Sequence, residues 1–227
     1  MMNLFDFLFK IAKRQLKKVE FINQNKSIIE PAIFVANHEG SFGPIAAIVR
    51  LPFKVKPWII SDMMDIKLMT DYMAKDFFLK ELHIGSPFNK ILSKSISRIC
   101  IKLFNYLDAI PVYQKSQRII ETIAKSIICL ESGENIIIFP EIQTEEINDY
   151  INRFNIGFIK IAHKMEKENG KKIPIYPLAI SKKYSKILLG EPSFYMLNKP
   201  YLEEKTRLQE ELENKISNML MNLEKSS

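Results

Sequence analysis

Asn37-His38-Glu39-Gly40-Ser41-Phe42-Gly43-Pro44 directly follows the apolar run Ala32-Ile33-Phe34-Val35-Ala36. Imidazole titrates near neutral pH, so a histidine held in place can take the proton of a hydroxyl and turn it into a nucleophile. A short apolar run ending in a polar, glycine-containing turn and then a proline reads as strand, loop and helix start. His38 is thereby set at the carboxyl end of a buried strand, where open α/β sheets bind ligands. The chain has three histidines. The other two, His83 and His163, fall in segments that read as loop and helix surface. The plainer alternative for His38 is a turn histidine hydrogen-bonded to backbone.

Two further strand ends carry polar turns. Pro140-Glu141-Ile142-Gln143-Thr144 follows the apolar run ending at Phe139, and another turn follows Ile180. Taken alone, Phe139-Pro140-Glu141 is a strand end with a turn proline. Neighbouring strands ending at Ala36, Phe139 and Ile180 would gather His38 and Glu141 on one rim.

The elements that must position these residues alternate. Strands are predicted over 32–36, 55–60, 109–113, 135–139, 173–180 and 186–189, with Pro57 making the second irregular or an edge. Helices are predicted over 43–51, 67–80, 88–106, 117–131, 154–168 and 202–224. Gly43 is read as the cap of the first, with Pro44 at its first position. In the last, Leu208, Leu212, Ile216, Met219 and Leu223 form the inward stripe. Alternation of this kind predicts an α/β domain with a largely parallel sheet flanked by helices.

Residues 1–24 are read as a separate N-terminal amphipathic helix, and 25–227 as the α/β domain. Leu4, Phe5, Leu8, Ile11, Ala12, Leu16 and Val19 share one helical face, and Asp6, Lys10, Lys13, Arg14, Lys17 and Lys18 the other. Such a basic amphipathic helix suits an anionic membrane surface, although the same face could pack on the domain. Phe7 and Phe9 widen the apolar arc beyond what docking needs.

Composition narrows the classes. The chain has 227 residues, 47% hydrophobic and 26% charged, which is the composition of a globular domain with a sizeable core. The net charge of +7 favours an anionic partner. No recognition motif or interleaved aromatics accompany the charge, so a nucleic-acid partner is not expected. Cys100 and Cys129 have neither metal nor redox spacing, which fits a reducing, cytoplasmic setting. No spanning segment, signal peptide or metal site is expected.

Read together, these motifs resemble those of the glycerolipid acyltransferases, the family of lysophosphatidate acyltransferase. Asn37 and His38 are similar to its first motif. Gly133, Ile136–Phe139, Pro140 and Glu141 are similar to the third, and Phe154 with Gly157 to the element after it. Ile173-Pro174-Ile175-Tyr176-Pro177-Leu178-Ala179-Ile180 resembles the fourth, and Gly190-Glu191-Pro192 a later one. The resemblance covers roughly residues 30–195 and implies a glycerolipid acyltransferase-like α/β fold.

It also implies that His38 acts as general base on a lipid hydroxyl, which attacks the thioester of acyl-CoA or acyl carrier protein, with no further cofactor. His38 and Glu141 are the implied catalytic residues. Asn37, Ser41, Gln114, Lys115, Arg118, Ile142, Gln143 and Thr144 are the implied substrate-binding set. Membrane lipids are the implied partners, on the cytoplasmic face. The sequence gives no oligomeric state.

Four positions depart from the family pattern. Gly43 stands where the ring-orienting Asp is expected, Gln114 where an Arg pairs with phosphate, and Ile142 where a glycine admits the acceptor; Thr144 is displaced by one. Glu39 or Glu141 would have to orient the ring, although adjacent side chains point apart along a chain. An Asp at position 43 is expected to fit as a helix cap. The alternative function is a catalytically inactive lipid-binding or interaction homologue that keeps the fold.

Overall fold

The computed structural model describes residues 4–75, 88–114 and 116–226. His83, Lys115 and the end of the helix predicted over 67–80 lie outside the described residues. The chain forms two compact units, one of residues 1–55 and 125–227 and the other of 56–124.

The first unit is built on a mixed, mostly parallel sheet flanked by helices. Its strands are β1 (Glu20–Asn23), β2 (Ile33–Ala36), β5 (Asn135–Ile138), β8 (Ile175–Ser181) and β9 (Lys186–Leu189). They lie in the order β1-β9-β8-β2-β5. β2 runs parallel to both β5 and β8, and β1 runs parallel to β9. Only β8 and β9 are antiparallel, as sequence neighbours joined by a short turn can be. All four residues of β2 and of β5 are buried, which explains why both read as unbroken apolar runs.

Side chains alternate across the sheet. Phe34, Ala36, Tyr176, Leu178 and Ile180 join Ala46 and Ala47 of helix α2 (Phe42–Arg50) in one cluster. Phe34 stacks between Phe53 and Tyr176, with ring centroids 4.6 and 5.4 Å away. Helix α7 (Tyr201–Lys225) packs on β8, and its predicted stripe from Leu208 to Leu223 is buried. Helix α6 (Ile159–Asn169) closes in left-handed Gly170, whose φ is +63°.

The second unit holds strand β4 (Ile110–Val112) parallel to β3 (Val55–Ile60), which forms despite Pro57. Helices α3 (Ile66–Tyr72) and α4 (Phe88–Tyr106) pack through Met69, Met73, Ile96, Cys100, Ile101 and Phe104. Burial pushes the Cys100 thiol pKa up, which makes it inert rather than reactive. Helix α5 spans Ile119–Glu131.

Two sequence expectations are corrected. The N-terminal helix, α1, ends at Gln15, and Glu20–Asn23 pairs as β1. Leu16 packs on the core and Val19 is buried, so the chain leaves the helix where its apolar face meets the domain. Residues 141–154 form an antiparallel hairpin of β6 (Glu141–Glu146) and β7 (Asn152–Phe154), and α6 begins at Ile159, five residues later than its periodicity suggests. Asn155 ends the hairpin by accepting from the Gly157 amide, 3.2 Å away, and so starts a 3₁₀ turn before α6.

Replacing Phe34 by Ala would empty the centre of the ring stack. The expected cost is ~3–5 kcal/mol, measured by urea denaturation. A loss below ~1 kcal/mol would mean that the stack does not anchor the sheet.

Candidate functional site

The three strand ends do share one rim, because β8, β2 and β5 are parallel neighbours. Asn37 is buried and bridges two of them. Its Nδ2 donates to the Ile180 carbonyl at 2.9 Å and its Oδ1 accepts from the Ile180 amide at 2.7 Å. The motif asparagine therefore fixes backbone to backbone and holds the His38 loop against β8.

Glu141 ties the third strand end to the same loop. Its Oε2 accepts from the His38 backbone amide at 2.6 Å, and its Oε1 from the Asn152 amide at 3.0 Å. Charge-assisted bonds of this kind are about twice as strong as neutral ones. Both carboxylate oxygens thus serve backbone, and Glu141 acts on His38 by placing its main chain. Among the described residues no carboxylate hydrogen-bonds the His38 ring, which lies edge-on to Phe139 at 5.6 Å. Glu39 is exposed in a left-handed turn with φ of +43°, followed by Gly40 at +59°. A glutamate rarely holds that conformation, and such strain collects at functional sites.

Gly43 explains how the loop is compressed. Helix α2 starts one residue earlier than expected, with Ser41 at its N-cap and Gly43 inside the first turn. A Cβ on residue 43 would stand 2.2 Å from the His38 carbonyl oxygen and 3.3 Å from that of Asn37. Position 43 therefore has no room for the family aspartate, and the expectation that Asp would fit there as a cap is corrected. The chain uses the missing side chain to bring the His38 carbonyl onto the helix.

A cavity of about 690 Å³ opens beside the loop. That is within the ~300–1,000 Å³ of small-molecule sites. His38, Glu39 and Gly40 line one side, and the β6–β7 hairpin the other. Glu141 and Gln143 face it by the period-two alternation of a strand, whereas Ile142 and Thr144 are not among its lining residues, nor is Ser41. The Asn148–Asn152 turn also lines it. Sequence reasoning missed that turn, although Asn148-Asp149 is a recognisable turn signal.

Helix α7 holds the turn through side chains. The Asn148 Nδ2 donates to Ser217 Oγ at 3.0 Å, and the Tyr150 hydroxyl donates to Glu224 Oε2 at 2.6 Å. Buried Glu213 accepts from the Phe154 amide at 2.7 Å. Nothing in the α7 sequence marks Glu213, which adjoins the apolar stripe.

The remaining candidates belong to the second unit. Gln114 is exposed in the turn after β4, which Thr122 steadies by donating to the Pro111 carbonyl at 2.8 Å. The Arg118 guanidinium makes a two-point contact with Glu121, at 2.9 and 3.0 Å, and lies 3.8 Å over the Tyr113 ring.

A family model described as Acyltransferase matches residues 18–181. The chain belongs to the acyltransferase family. The matched region runs from just before β1 to the last residue of β8, so it spans all of the second unit and the part of the first that holds Asn37, His38 and Glu141, and leaves out α1, β9 and α7. The solved structure of the 1-acyl-sn-glycerophosphate (LPA) acyltransferase PlsC from Thermotoga maritima matches with a TM-score of 0.54 at 15% identity, covering 97% of this chain and 80% of that one. At that identity the likeness is one of fold. The curated proteins give no significant match.

Gly43→Ala and Gly43→Asp should both displace the His38 carbonyl. The expected destabilisation is ~1–3 kcal/mol, as for other overpacked sites, with a shift of the His38 amide resonance. Unchanged stability and an unmoved resonance would show that the loop is not packed against the helix.

Proposed function

We propose that this acyltransferase-family chain moves a fatty acyl group from the thioester of acyl-CoA or acyl carrier protein to the hydroxyl of a lysophospholipid or related single-chain alcohol. The observation that carries this reading is His38 itself, a histidine at the end of β2, beside a cavity, within the family's matched region. The ring takes the hydroxyl proton as the oxygen attacks the thioester carbon. The C–O bond forms, the C–S bond breaks, and the proton passes to the departing thiolate. Asn37 and Glu141 act as positioning residues, because they hold the backbone on either side of the ring.

One observation favours a second reading, a homologue that binds lipid or a partner without transferring acyl groups. Position 43 cannot carry a carboxylate, and no other acid is bonded to the ring among the described residues. In the serine protease precedent, removing the acid that orients the histidine costs about 10⁴-fold.

Purified protein with acyl-CoA and a panel of lysolipids, read by mass spectrometry, separates the two. On the enzyme reading, His38→Ala lowers transfer by about 10²–10⁴-fold. Transfer by wild type no greater than by His38→Ala establishes the inactive homologue if neither acts. It removes the histidine from the mechanism if both do.

The membrane surface is the proposed workplace, on its cytoplasmic face. Among the described residues no helix is long and apolar enough to cross a membrane. Helix α1 nevertheless leaves Phe7, Leu8 and Ile11 exposed beside Lys10 and Arg14. Triple substitution of Phe7, Leu8 and Ile11 by Glu in the full chain should abolish cosedimentation with anionic vesicles. Wild-type binding should weaken with salt, since surface charge is screened over about 8 Å at physiological ionic strength. Equal binding by the variant would reject α1 as the contact.

A further inference from the structure

The cavity beside His38 is acidic, in a protein that carries +7 overall. Glu39, Glu141, Glu146 and Asp149 line it, and no Lys or Arg is among its described lining residues. Glu141 is neutralised in part by the two amides it holds. The side chains of Glu39 and Glu146 are exposed. A sphere of this volume is about 11 Å across, so each lining charge lies within the screening length of about 8 Å of its centre.

An independent feature has the same preference. Tyr150 lines the cavity, and its hydroxyl is held by Glu224. Aromatic faces attract ammonium groups, and recognition of quaternary ammonium ligands is a recurring use of such rings. A phosphomonoester entering the same space would bring close to two negative charges, with no described lining cation to meet them.

We infer that the acceptor's polar end carries an ammonium group and no phosphomonoester. The inference rests on the reading that this cavity admits the acceptor whose hydroxyl His38 activates. The cavity stands as a site on His38 and the family region around it; its carboxylates and Tyr150 decide what it accepts. The ammonium is a binding handle and does not react.

Three short-chain monoacylglycerols test this. One is uncharged, one bears a phosphomonoester, and one bears a trimethylammonium-alkyl ether, which cannot itself be acylated on nitrogen. With the full-length protein and acyl-CoA, kcat/KM should be at least tenfold higher for the trimethylammonium acceptor than for the phosphomonoester, with the uncharged one between. The Glu146→Gln, Asp149→Asn double variant, confirmed as folded by circular dichroism, should narrow that ratio to under threefold, mainly through KM.

Calorimetric binding of the same three acceptors is read alongside. Preferential ammonium binding without transfer to any acceptor would keep the inference and remove the proposed chemistry. Tighter binding or faster turnover of the phosphomonoester, no binding of any acceptor, or a ratio indifferent to the double variant would overturn the inference.

Discussion

The Glu141 carboxylate is the junction on which this site depends. One oxygen holds the amide of His38 at the end of β2, and the other holds the amide of Asn152 at the start of β7. A parallel sheet ends in unpaired backbone donors along its carboxyl rim, and those donors need acceptors. A single anion placed there satisfies two of them and joins two loops that are far apart in sequence. Asn37 performs the matching task toward β8. The histidine loop is consequently braced on both sides through its backbone, with the ring edge-on to Phe139 beside the cavity.

The hairpin extends the same logic outward. β6 and β7 pair only with each other, and an isolated two-stranded ribbon is marginal in water. This one is held at several points by α7: Glu213 on the Phe154 amide, Ser217 on Asn148 and Glu224 on Tyr150. Glu213 is buried and already answers both a backbone amide and the Gln209 side chain, at 2.9 Å. The C-terminal helix therefore shapes one wall of a cavity whose other wall follows β2.

What could be read from the sequence follows the strength of each local signal. β2, β5 and β8 are unbroken apolar runs ending in polar turns, so their place in the sheet and the shared rim of His38 and Glu141 were legible. The stripe of α7 was legible from its period. The hairpin was not, because Glu141-Ile142-Gln143-Thr144 is mostly solvated and its strand character comes from pairing with β7 rather than from burial. β1 was hidden because Val19 and Leu16 continue the apolar period of α1, although they are buried against the domain. Motif positions identified Asn37 as a substrate-binding residue and Glu141 as a catalytic one, whereas in the structure both spend their side-chain polar atoms on backbone.

Gly43 shows how one position can decide between two ways of holding a histidine. A carboxylate there would act on the imidazole directly, fixing its tautomer and stabilising its charged form. This chain instead lets the His38 carbonyl approach the first turn of α2 to a distance that no Cβ permits. The ring is then placed from behind, by a backbone that is bonded at its amide and packed at its carbonyl. Such a mount fixes position without supplying charge. If the imidazole accepts a proton in the reaction, nothing bonded to the ring among the described residues offsets the positive charge that develops. Compensation would have to come from the wider field of Glu39, Glu141, Glu146 and Asp149 around the cavity. On the proposed reading, carboxylates that would repel a phosphate would also favour an imidazolium, so a glycine at position 43 and the acidity of the cavity are consistent with one another.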